Sequence, residues 1–197
     1  MFGKNTARMS QEIFRVLMDS FAHPGKIYDL GVIRDRNINS DSPAGIFYAM
    51  CYTVMDNETK FTVIGSGIND GMIDTIYKLT KSDYVSVNDT DFAVITGGSS
   101  RGAIENINRG TSAFPDMGAT VFYFVKDLNC ETGILLYLNG PGIKDRISFH
   151  VDGADLSDLV SIRKINTEFP LGIDVVFYDG NDRIVSVPRS SKITIGE

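Results

Sequence analysis

The sequence is short of cysteine, histidine, long apolar runs and positive charge, and each shortage removes a class of function. Cys51 and Cys130 are the only cysteines, far apart and in no Cys-x-x-Cys or Cys/His spacing. That excludes a disulfide framework, a zinc site of recognisable spacing, and an iron–sulfur centre that would carry radical chemistry. Cys51 lies inside the apolar stretch "AGIFYAMCYTVM" and reads as core rather than as a nucleophile. No pair of histidines and carboxylates has metal-ligand spacing, so no metal is expected. The longest apolar stretches, "AGIFYAMCYTVM" and "ATVFYFV", fall short of the roughly 20 residues a membrane helix needs. No charged-then-apolar segment opens the chain, so the expectation is a cytoplasmic protein with no membrane partner. Lys and Arg number 19 against 25 Asp and Glu, a net charge of -6. A binder of nucleic-acid backbone replaces condensed counterions with Lys and Arg, so no nucleic-acid partner is expected either.

What is present is the composition of a soluble globular protein, 43% hydrophobic and 22% charged. A chain of 197 residues can bury a core without staples, and no repeat, low-complexity tract or linker divides it. One domain over residues 1–197 is expected. In "SQEIFRVLMDSFAHPG", Ile13, Leu17 and Phe21 recur every four residues with Phe14 and Met18 beside them, while Gln11, Arg15 and Asp19 line another face. This is an amphipathic helix, and His23-Pro24-Gly25 ends it because a residue before proline avoids helical geometry. "KIYDLG" reads as a short strand. Ser42 and Pro43 are placed as N-cap and first residue of a buried helix over "AGIFYAMCYTVM". A strand in "KFTVIG" follows, then a helix in "NDGMIDTIYKLTKSD" with Met72, Ile73, Ile76, Tyr77 and Leu79 on its buried side. "DFAVITGG" is a fully buried strand, and a short helix over Ala103 to Asn108 sits in a long loop.

Beyond that loop the strands crowd together: "ATVFYFVKDL", "GILLYLNG" and "RISFHV", a helix near Asp155 to Asn166, then "GIDVVFYD" and "RIVSVP" joined by a hairpin at "DGND". The first half alternates helix and strand, and the second reads as antiparallel additions to the same sheet. The fold class is therefore α/β, with a mixed sheet covered on both faces.

Five short segments could carry chemistry, each with a structural alternative. "LNGPGIKDR" lacks the Walker spacing and is followed by a strand, not a helix, so Gly140 and Gly142 form either a plain strand-to-strand turn or an anion-binding nest of backbone amides. His23 could be an acid or base, or could bond a local carbonyl. His150 in "ISFHV" reads as structural. "GGSSRG" sets Ser99, Ser100 and Arg101 after a buried strand, where α/β sheets hold ligands, though such loops also occur without one. "VPRSS" offers Arg189 with Ser190 and Ser191 to a phosphate or carboxylate, or Arg189 to an internal salt bridge. Asp174, inside an apolar strand, needs a partner if buried, and Arg189 or another arginine could supply it.

Taken in order, "FRVLMDSFAHPG", "DNETKF", "DFAVITGG", "RGTSAFPDMGATVFYFV", "LNGPGI", "FPLGIDVVFYD" and "VPRSSKI" resemble the PhnH family, the H subunit of the carbon-phosphorus lyase system of phosphonate breakdown. The family's last motif tends to read Pro-Arg-Thr-Thr; here the hydroxyls belong to Ser190 and Ser191. The resemblance implies a three-layer α/β/α sandwich similar to type I pyridoxal-phosphate transferases, without the cofactor. It implies a homodimer in isolation and a core complex with subunits G, I and J. The implied role is an essential but non-catalytic part in attaching an alkylphosphonate to the ribose of ATP with loss of adenine, giving ribose 1-methylphosphonate 5-triphosphate. A phosphonate or nucleotide ligand would meet Arg15, His23, Arg101, Gly140, Gly142, Asp174, Arg189 and Ser190. The competing readings are a phosphonate or nucleotide sensor and a stand-alone pyridoxal-phosphate transferase. The latter needs a lysine in a recognisable setting, which the sequence does not display.

Overall fold

A computed structural model describes residues 6–37, 44–66 and 70–196. Its first element is helix α1 (Thr6–Ala22), which ends where the His-Pro-Gly segment begins. Strand β1 (Tyr28–Asp29) and a helix absent from the sequence reading, α2 (Gly31–Asn37), lead to α3 (Ala44–Val54). The N-cap assigned to Ser42 and Pro43 lies outside the described residues. Then come β2 (Lys60–Gly65), α4 (Asp70–Thr80), β3 (Asp83–Tyr84) and β4 (Phe92–Thr96). The long loop that follows contains a 3-10 turn over Ala103–Asn106 in place of the expected helix. The remainder comprises β5 (Thr120–Val125), β6 (Ile134–Asn139), β7 (Ile147–Val151), α5 (Leu156–Asn166), β8 (Asp174–Asp179), β9 (Arg183–Val187) and β10 (Lys192–Ile195).

Seven strands form one mixed sheet in the order β1-β9-β8-β5-β4-β2-β3. The strands from β8 to β3 run parallel, while β9 returns antiparallel to β8 and β1 antiparallel to β9. The β8–β9 hairpin turns at "DGND" as its turn chemistry requires. The expectation that every later strand would extend this sheet is corrected: β10, β6 and β7 make a separate three-stranded antiparallel sheet. Their alternating burial explains why. Leu136, Leu138, Phe149 and Val151 point inward from one side of these strands and need an apolar surface beneath them, which the broad face of the large sheet provides.

The large sheet is thus sandwiched. On one face α1, α3 and α4 bury Met9, Ile13, Leu17, Phe47, Met50 and Ile76 against Phe61, Val63, Val94, Phe122 and Val176. On the other, α5 and the small sheet bury Leu159, Ile162, Leu136 and Leu138 against Ile95, Val121, Tyr123, Val175 and Phe177. Residues 121, 122 and 123 alternate between the two cores, the period-2 signature of a strand buried on both sides. Each such fully buried side chain contributes about 1.5–3 kcal/mol relative to exposure.

Three apolar residues assigned to buried faces are exposed: Phe14 (50%), Met18 (53%) and Tyr77 (49%). Each follows a buried residue, Ile13, Leu17 or Ile76, and one residue step turns about 100° around a helix, off the contact seam. No helix among the described residues is long and apolar enough to cross a membrane.

Candidate functional site

The His-Pro-Gly and Gly-Pro-Gly motifs meet at one end of the sheet, where β5 and β8 begin. Register fixes the place: Phe61, Phe92, Thr120 and Asp174 stand side by side across β2, β4, β5 and β8. Because β9 is antiparallel, Val187 pairs with Val175 and delivers Pro188, Arg189 and Ser190 to the same end. The turn after α1 and the β6–β7 connection close over it. Gly142 (φ +81°) brings its backbone against the helix end, where a Cβ would stand 2.5 Å from the Ala22 carbonyl oxygen and 3.0 Å from Pro24 Cδ. Gly25 (φ +79°) packs instead against side chains of the small sheet, and a Cβ there would lie 2.7 Å from Ile147 Cγ2. The two glycines thus answer different constraints, Gly142 a close approach to the backbone at the end of α1 and Gly25 a close approach to the side chains of β6 and β7, each with a positive φ that favours glycine.

Two adjoining hollows result, sharing Gly142. One, of about 440 Å³, is lined by Phe21, Ala22, Thr120, Pro141, Asp174, Pro188 and Ser190. The other, of about 360 Å³, is walled by His23, Pro24, Lys26 and the residues from Ile143 to Ile147. Gly142, Asp174, Ser190 and His23 are thus brought together, and Gly140 stands beside them, where a Cβ would lie 3.1 Å from the Ser190 carbonyl oxygen. Arg15 lies two turns back on the exposed side of α1, beside Phe14 and Met18, in a shallow groove that reaches the first hollow at Ala22.

Arg189 is near but engaged elsewhere. Its Nε and Nη2 donate to Asp174 Oδ2 at 3.0 and 2.5 Å, and its backbone N–H donates to Oδ1 at 2.8 Å. The rest of the guanidinium reaches into the 109–118 loop, Nη1 to the Pro115 carbonyl at 2.6 Å and Nη2 to that of Gly118 at 2.9 Å. Of the two readings of "VPRSS", the internal salt bridge is the one formed. His23 likewise turns back on its own surroundings, its Nδ1 3.0 Å from the Asp19 carbonyl oxygen and 3.3 Å from the Tyr28 hydroxyl.

Arg101 belongs to the opposite end of the sheet, at the carboxyl end of β4. There Ser100 donates to Asp158 through both N–H and Oγ at 2.6 Å, and the Tyr123 hydroxyl lies 2.8 Å from the same carboxylate. Burial beside that carboxylate pushes the Tyr123 hydroxyl's pKa far up. Ser99 Oγ donates to Asp155 at 2.7 Å, and that bond, with those from Ser157, holds the Asp155 carboxyl below its usual range. The "GGSSRG" loop is thereby clamped to the start of α5, with Arg101 exposed beyond it. Sequence reasoning grouped Arg101 with the other candidates; the strand direction separates them.

The residues it missed are Lys26 and Thr120. Lys144 and Arg146 were visible only as two cations after a glycine turn. Nothing local in the chain indicates that Lys26, 118 residues earlier than Lys144, shares their hollow. Among the described residues no group of three or more His, Cys, Asp or Glu could hold a metal ion.

Comparison with known proteins agrees with the family resemblance. The family profile for PhnH, bacterial phosphonate metabolism protein, matches residues 3–194. The chain is 27% identical over 188 residues to the alpha-D-ribose 1-methylphosphonate 5-triphosphate synthase subunit PhnH of Rhizobium meliloti (strain 1021), covering 93% of this chain and 90% of that one. It is 24% identical over 194 residues to HtxG of Stutzerimonas stutzeri, whose name assigns it provisionally to the C-P lyase subunits, covering 96% of this chain and 88% of that one.

Proposed function

Because the chain belongs to the PhnH family of bacterial phosphonate metabolism proteins, we propose that it is an essential subunit of the C-P lyase core complex with no turnover of its own. In this reading it acts as one PhnH-like domain in the cytoplasm, homodimeric when isolated, and joins subunits G, I and J. With them it supports transfer of an alkylphosphonate to the ribose of ATP, with release of adenine, to give ribose 1-methylphosphonate 5-triphosphate. Kinship with type I pyridoxal-phosphate transferases, without their cofactor, is part of the same proposal.

The observation that carries the non-catalytic part is how the polar motif residues are used. Asp174 and Arg189 satisfy each other, and Arg189 spends its other bonds on two loop carbonyls. His23 bonds its own helix end. A nucleophile needs a base within hydrogen-bond reach, itself oriented by a third group. The residues that could have formed such a set serve the architecture instead, which supports a part in holding and assembling over one in bond making.

The test is co-expression with subunits G, I and J, a tag on this chain, and size exclusion after affinity purification. A stoichiometric complex that forms the ribose phosphonate only when this chain is present is the expected result. A chain that elutes without the other three, while they make product alone, would overturn the reading.

A further inference from the structure

The smaller hollow carries a charge the rest of the molecule does not. Its lining includes three cations, Lys26, Lys144 and Arg146, and a single carboxylate, Asp145. That local excess of positive charge occurs on a chain whose net charge is -6. None of the three cations forms a salt bridge among the described residues. Two are held by rings instead: Lys26 Nζ lies 4.8 Å from the centre of Tyr28, and the Arg146 guanidinium carbon 3.5 Å from that of Tyr137. Stacking of this kind fixes a cation in place without neutralising it, so its charge stays available. Between them the chain bends through Gly142 (φ +81°). The backbone N–H groups of Gly142 and Lys144 donate to no acceptor among the described residues.

We propose that this hollow, between the turn after α1 and the β6–β7 loop, is a binding site for a small molecule bearing a multiply charged phospho-oxyanion, with Lys26, Lys144 and Arg146 as its charged contacts. Chemistry decides the class. A lone carboxylate answers one arginine fork and leaves two ammonium groups unmatched, whereas a phosphate, a phosphonate or an oligophosphate chain presents several acceptor oxygens and two or more charges. Free amides at a glycine bend suit the same oxygens. The cavity, about 360 Å³, has the size of a small-molecule site. Next to it the larger hollow offers the Ser190 and Thr120 side chains and apolar walls from Phe21, Pro141 and Pro188, room for the uncharged remainder of such a ligand. The site requires neither the partner subunits nor the assembly role, so the two proposals fail separately.

The test uses the purified full chain at low salt and titration calorimetry with inorganic phosphate, methylphosphonate, tripolyphosphate and ATP. Tripolyphosphate and ATP tighter than the single phospho groups would identify an oligophosphate tail, and equal affinities a single phospho group; either supports the site. Binding should weaken as salt approaches 0.15 M, where the screening length is about 8 Å. The combined variant Lys26→Gln, Lys144→Gln, Arg146→Gln should bind at least about tenfold more weakly, the scale of losing even one charge-assisted hydrogen bond. Its melting temperature should stay near that of the wild type, since all three side chains are exposed. A control with the same charge change elsewhere, Arg163→Gln, Lys164→Gln, Lys192→Gln, should retain binding. Absence of binding by all four probes, or an equal loss in the control, would overturn the proposal.

Discussion

Replacing Arg189 by methionine should destabilise the fold by about 3 kcal/mol. The magnitude follows from what the guanidinium leaves behind. Asp174 would keep its bond from the Arg189 backbone N–H but lose both side-chain donors, and the Pro115 and Gly118 carbonyls would each lose theirs. Breaking a buried ion pair by removing one partner costs roughly 3–5 kcal/mol. Here the side chains are 13% and 23% exposed, so water softens the loss and the lower end applies. Arg189→Lys should recover only part of it, because an ammonium cannot span Asp174 and two carbonyls with a planar fork. Asp174→Asn should cost less than Arg189→Met, and the double variant less than the sum, because the residues share one network. Urea unfolding of the wild type and these four variants measures all of this. A loss below 1 kcal/mol for Arg189→Met, or strict additivity of the pair, would refute the claim that Arg189 serves the architecture.

The glycine contact can be isolated by comparing two substitutions. Gly142→Ala meets both a left-handed backbone and the Ala22 carbonyl, while Gly102→Ala at φ +82° meets nothing within 4 Å. The second should cost about 1 kcal/mol for the backbone conformation alone and the first distinctly more, read from thermal melts. Asp155 caps α5 and its carboxyl is held below the ordinary range by bonds from Ser99 and Ser157. A depressed carboxyl contributes stability above its unfolded value and loses it as pH falls through its folded value. Asp155→Ala should therefore be about 1 kcal/mol less stable than wild type at neutral pH. That gap should shrink as pH drops below about 4; a gap independent of pH would show that the carboxylate charge is not what stabilises the cap.

Much of the fold was legible because period and punctuation survive in short windows. The four-residue recurrence in α1, its stop at His-Pro-Gly, the continuous apolar runs of β4, β5 and β8, and the Asp-Gly-Asn-Asp hairpin all rest on local rules. Helix α2 escaped because seven residues, "GVIRDRN", are too few to show a period. Strands β6 and β7 were found, yet their sheet was misassigned, since alternation tells which side of a strand is apolar and not which surface will cover it. The candidate site was half legible. Gly140, Gly142 and Asp174 were singled out for turn chemistry and for a carboxylate in an apolar strand, both visible in the chain.

Periodicity and glycine placement thus carried the α/β class of the fold and the end of α1, because each depends on residues within a turn or strand of one another. Folding alone settled which motifs met. Parallel register put Asp174 beside Thr120, and the antiparallel return of β9 brought Arg189 to Asp174. Strand direction sent Arg101 to the far end, and a glycine-to-carbonyl contact drew Lys26 into the hollow of Lys144 and Arg146. These are long-range juxtapositions, and no spacing along a chain encodes them.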